Sequence, residues 1–124
     1  MNFEGHHHKR NWGNMVEYSS DVCLYPETVH DVQTIVKDKR YQSLKVIGTR
    51  HCFNTVADTR KFAPGTKTGI AAHISVEKLK SFVFEKIVIK GEEEKGPQPV
   101  VTVGAGAILK ELMDAVEEAG YAIE

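Results

Sequence analysis

Apolar residues come in short groups whose spacing switches between that of a strand and that of a helix. Val22-Cys23-Leu24-Tyr25 is a β-prone run closed by Pro26. Thr28 then reads as a helix N-cap, with Asp31 three residues on in a capping-box arrangement. Val29, Val32, Ile35 and Val36 recur at helical spacing and predict an amphipathic helix over residues 29–38. Lys37, Lys39 and Arg40 sit at its end, where cations suit the helix dipole. Leu44-Lys45-Val46-Ile47 is the next strand, stopped by Gly48. Strand, helix and strand joined by short links make a βαβ unit, with parallel strands and a right-handed crossover.

Residues 49–69 carry no periodic pattern but hold Pro64, Gly65, Gly69 and several Thr, which predicts a long loop. Loops of that length inside compact domains are usually functional or mobile. Residues 70–76 and 82–89 are strand-like, and residues 90–99, KGEEEKGPQP, are a charged turn. Val100-Val101-Thr102-Val103 is a further strand. Residues 107–119 predict a second helix, with Ile108, Leu109, Leu112, Met113, Val116 and Ala119 on one side and Gly120 as its C-terminal stop. Tyr121-Ala122-Ile123 reads as the beginning of another strand, which leads us to expect a chain cut inside a larger fold. Residues 1–20 are polar and Gly/Asn-rich and are expected to be an arm with little regular structure. The expected class is α/β (α+β): a small βαβ unit, then mixed or antiparallel strands and a second helix.

Composition narrows the picture. The chain has 124 residues, 41% hydrophobic and 27% charged, as an ordinary globular domain or a piece of one has. Sixteen Lys+Arg against seventeen Asp+Glu leave a net charge of −1, so no basic excess exists to neutralise phosphates and no nucleic-acid partner is expected. No apolar stretch approaches the roughly 18 residues of a membrane helix, and the first residues, MNFEGHHHKRNW, have no apolar run of a secretory signal. Two cysteines, Cys23 and Cys52, make no disulfide framework and point, weakly, to a reducing, cytoplasmic interior.

Three groups of residues carry candidate chemistry. Gly104-Ala105-Gly106 follows a strand and precedes a helix, but a dinucleotide fingerprint needs Gly at the position Leu109 holds, so a tight turn is expected. His6-His7-His8 are adjacent and cannot all face one ion, so no metal site is expected there. His30 and His73 are isolated and read as structural, and Cys23 as a small buried residue in a strand. The third group, Gly48-Thr49-Arg50-His51-Cys52-Phe53-Asn54, directly follows a parallel strand, and ligands of α/β sheets bind outside the carboxyl ends of strands. Gly48 permits close approach of the backbone, successive N–H groups can form an anion nest, Arg50 adds charge, and His51 is largely neutral near pH 7. From local chemistry alone an anionic-cofactor site and a structural loop both remain open. A thiol nucleophile at Cys52 lacks an orienting group and is not expected.

Asn11-Trp12, Asn14, Tyr18-Ser19, Tyr25-Pro26-Glu27-Thr28, the 48–54 segment and Ala57-Asp58-Thr59 fall in an order that resembles the alditol and xylitol oxidases of the vanillyl-alcohol-oxidase flavoprotein superfamily. The later Val101-Thr102-Val103-Gly104-Ala105-Gly106, Glu111-Leu112 and Gly120-Tyr121-Ala122 are similar to that family's strand–turn–helix. The resemblance implies residues 21–124 as the first part of a PCMH-type FAD-binding domain, lacking the second FAD segment and the substrate domain. It implies FAD as cofactor, bound by Gly48, Thr49, Arg50, His51, Cys52, Phe53 and Asn54, with His51 bonded covalently to the flavin. The implied reaction is that of a flavin-dependent oxidoreductase: a CH–OH donor, a small polyol or sugar-derived substrate, passes hydride to FAD, and O2 reoxidises the flavin to give H2O2. No catalytic base is assigned, and the 124 residues alone are expected to be inactive. Cys52 stands where the family commonly has Ser, and the aldonolactone oxidases, whose loop usually reads GGGHSP, are the nearest alternative. A truncated, non-catalytic module with little or no FAD binding is the other.

Overall fold

The computed structural model describes residues 2–11, 13–49, 55–59 and 69–123, with side chains from Arg10 onward. It divides into two units, Met1–Leu79 and Lys80–Glu124. The class is mixed α/β, as the periodicity implies.

The first unit holds a four-stranded sheet. Strands β1 (Asn2–Arg10) and β2 (Glu17–Tyr25) pair antiparallel, from Asn2 opposite Tyr25 to Arg10 opposite Glu17. The first twenty residues are therefore not an arm without regular structure. The described bonds of the hairpin are backbone pairing and polar side-chain contacts of Asn11 and Arg10, which leave no apolar period to read. Asn11 is buried at the turn, where its Oδ1 accepts from the N–H groups of Met15 (2.8 Å) and Val16 (3.0 Å). Its own N–H donates to the Val16 carbonyl at 2.9 Å. Asn14 takes φ 58°, a left-handed conformation that Asn tolerates better than most residues.

Helix α1 (Val29–Lys37) starts on the anticipated capping box. The Thr28 hydroxyl accepts from Asp31 N–H (3.1 Å), and the Asp31 carboxylate accepts from Thr28 N–H (3.2 Å) and Glu27 N–H (3.0 Å). Of the four apolar positions on the predicted face only Ile35 is buried, packed on Leu24, Ala72 and Ile74. Val29 and Val36 face outward, so the helix touches the sheet along a narrower stripe than its pattern suggests.

Strands β3 (Tyr41–Ile47) and β4 (Ile70–Ser75) complete the sheet in the order β1-β2-β4-β3. β4 runs parallel to both β2 and β3 and lies between them. Every residue of β4 after Ile70 is buried, as a central parallel strand covered on both faces requires. Leu24 and Cys23 are neighbours on β2 and so point to opposite faces. Leu24 joins Ile35 of α1 in one cluster. Cys23 joins Ile47, Tyr18 and Ala57 of a one-turn 3₁₀ segment, Thr55–Ala57, in another. The connection β2–α1–β3 thus covers one face, and the described residues 55–59 of the connection β3–β4 lie on the other. Reversing direction and changing face together keep one handedness, as parallel crossovers demand.

This topology accounts for the length of residues 48–69. Parallel neighbours cannot be joined by a tight turn; they need a crossover of about a dozen residues or more. A long connection here is a topological necessity before it is anything functional.

The second unit is an antiparallel hairpin, β5 (Phe82–Val88) and β6 (Pro97–Val103), followed by helix α2 (Leu109–Glu118). The charged turn contains a one-turn 3₁₀ segment, Glu93–Lys95, and is shorter than anticipated because Pro97 already pairs with Val88. Helix α2 begins at Leu109 rather than 107, since Ala107 N–H closes a turn onto the Gly104 carbonyl (3.0 Å) and Ile108 is extended. It ends in a Schellman arrangement: Gly120 N–H donates to Glu117 C=O (2.9 Å) and Tyr121 N–H to Val116 C=O (3.0 Å), with Gly120 at φ 82°. Within the helix only Val116 is buried.

Candidate functional site

The parallel strands of the first unit end together at Tyr25, Ile47 and Ser75. At this carboxyl end β3 gives way to a bend at Gly48 and Thr49, both exposed. A Cβ added at Gly48 would meet nothing within 4 Å. Among the described residues packing therefore does not demand glycine here. Of the residues singled out for a cofactor, Gly48 and Thr49 are described; Arg50, His51, Cys52, Phe53 and Asn54 lie outside the described residues.

Helix α1 starts at the same end of the sheet, and helix N-termini are common anion sites. This one is already occupied from within. The Asp31 carboxylate sits on the Glu27 and Thr28 N–H groups, and those bonds, the Glu27 one foremost, hold its pKa below the usual carboxylate range. A phosphate would have to displace that carboxylate. Nearby, the Lys78 ammonium pairs loosely with Glu27 (3.5 Å) and lies 6.0 Å from the centre of the Tyr25 ring.

The connection that leaves through Gly48 is pinned on its return. Ala57 and Thr59 are buried. The Thr59 hydroxyl donates to the Ser19 carbonyl (2.5 Å), and the Asp58 carboxylate accepts from the Ser19 N–H (3.3 Å). His73, on β4, is fully buried, and its Nε2 lies 2.7 Å from the Ala57 carbonyl. A carbonyl can only accept, so Nε2 carries the proton. The imidazole also meets Tyr18 edge-on, ring centres 6.3 Å apart. Burial pushes its pKa below the usual histidine value, against the smaller opposing pulls of the Ala57 carbonyl and Asp58.

Other residues considered from sequence fall as follows. His30 is exposed on α1, and Cys23 is fully buried. Gly104-Ala105-Gly106 forms a tight strand-to-helix turn after a strand paired antiparallel, not the parallel context of a dinucleotide fold. Among the described residues no three His, Cys, Asp or Glu side chains are placed to hold a metal ion; the side chains of His6, His7 and His8 lie outside that description. None of the described helices is long and apolar enough to cross a membrane. A groove of about 370 Å³ in the second unit, lined by Phe84, Val101, Val116 and Tyr121 among others, has no charged side chain on its walls. Sequence reasoning missed Asn11, Asp58 and Thr59 as structural anchors, and polar residues in aperiodic stretches carry no pattern that would reveal the role.

No protein-family model matches the chain, and no curated protein does.

Proposed function

We propose that this chain is the first part of a PCMH-type FAD-binding domain of a flavin-dependent oxidoreductase, of the kind that oxidises sugar alcohols. The observation that carries this reading is the exposed bend of Gly48 and Thr49 at the carboxyl end of a parallel sheet. It begins the 48–54 stretch whose residues resemble the flavin loop of the alditol and xylitol oxidases. In this reading the exposed Gly48 and Thr49 offer backbone N–H groups to an anionic group, and ligands of α/β sheets bind at that end. In this reading Arg50, Cys52, Phe53 and Asn54 line the same cofactor, and His51 is its covalent tether, not an acid or base. Bound FAD supplies the two-electron acceptor for a CH–OH donor, with O2 as the final acceptor giving H2O2. The substrate is a small polyol or sugar derivative.

The test uses the protein that contains these 124 residues, produced with and without His51→Ala. Separation on a denaturing gel and illumination for flavin fluorescence should give an acid-stable yellow band from the parent only. Flavin that washes out of both proteins removes the tether, and absence of flavin from both removes the reading.

A further inference from the structure

The described part of the β3–β4 connection, a single 3₁₀ turn and the two residues after it, lies on one face of the first unit. Beneath it lies the one imidazole of the described core, His73. Three described elements surround it. On β2, Cys23 is its register partner and Tyr18 its ring contact. On β3, Lys45 is its register partner. Above it the connection supplies the Ala57 carbonyl and the Asp58 carboxylate. Helix α1 packs on the opposite face.

We propose that His73 is a proton-sensitive anchor: its Nε2–H, donated to the Ala57 carbonyl, positions the returning limb of the β3–β4 connection on the sheet, and protonation of the ring releases that limb. The mechanism is local. A charged imidazolium inside the core is costly whatever bonds it keeps, and the cost is relieved by admitting water. The strands on either side are held by backbone ladders, whereas residues 55–59 belong to no strand, and their described bonds to the sheet include those of Ala57, Asp58 and Thr59. Opening therefore takes the limb and leaves the sheet. Asp58 favours the charged ring and sets how far the pH must fall. The inference stands apart from the flavin reading, although the same connection begins at Gly48 and any ligand held there would feel the release.

Hydrogen exchange of the whole chain, corrected for intrinsic rates and followed from pH 7.5 to 5, reads this directly. Exchange over residues 56–59 should run faster than that of β4 and should accelerate as the pH drops below about 6.5, by up to about tenfold per pH unit. In His73→Gln, which keeps a neutral N–H donor, the same segment should show no such dependence. Should that variant not fold, side-chain nitrogen NMR of the parent is a second readout: a neutral ring protonated at Nε2 is expected at pH 7.5. Exchange over 56–59 no faster than that of β4 at every pH overturns the proposal. So does an identical acid response in His73→Gln, or a ring protonated at Nδ1 alone.

Discussion

The two units solve the problem of burying a sheet to very different degrees. In the first, α1 covers one face of a four-stranded sheet and the described residues 55–59 of the β3–β4 connection lie on the other, and the central strand is buried almost throughout. In the second, a two-stranded hairpin and one helix leave Val83, Phe84, Ile87, Val88, Leu109 and Met113 exposed. Hairpins of two strands are marginal without further packing. The lesson is that apolar periodicity marks which side a helix can bury, while the amount it does bury depends on how many layers the unit itself provides.

Equal substitutions in the two helices separate the cases most sharply. Ile35→Ala empties a fully enclosed position and should cost about 2–5 kcal/mol of the first unit's stability, measured by urea denaturation. Acid should come next. His73 has a lowered pKa in the folded chain, so the unfolded chain binds the proton more readily. The neutral ring's contribution is complete above the unfolded value of about 6.5 and is lost as the pH falls toward the folded pKa. Melting of the first unit, followed by exchange of β4 amides, should therefore weaken below about pH 6.5, and the second unit has no described histidine to respond. Gly120→Ala places a Cβ on a residue at φ 82° and should cost about 1 kcal/mol, visible as faster exchange in the last turn of α2. Leu109→Ala, at a position 68% exposed, should change stability by less than about 0.5 kcal/mol. A loss comparable to that of Ile35→Ala would mean that α2 has a covered face and would erase the contrast.

Much of this architecture was legible. The helix starting at Val29 follows from Thr28 and Asp31, whose side chains make a local motif that needs no tertiary context. Parallel pairing followed from the order of strand, helix and strand. What stayed hidden was non-local. Nothing between Asn2 and Arg10 announces a strand, because its partner lies across a turn ordered by Asn11. Nor does the spacing show that β4 inserts between β2 and β3 and so makes the long 48–69 connection obligatory. For the candidate site, the strand end at Ile47 and the exposed Gly48 were readable, since a strand followed by glycine is a local signal. Asp58, Thr59 and His73 hold the return limb through contacts with residues 16 to 40 positions away, which no local pattern encodes.

The most direct measurement of the functional account is the flavin content of the denatured protein with and without His51→Ala. The account predicts a flavin that survives acid and denaturant in the parent and disappears in the variant. Flavin retained equally by both, or found in neither, contradicts it.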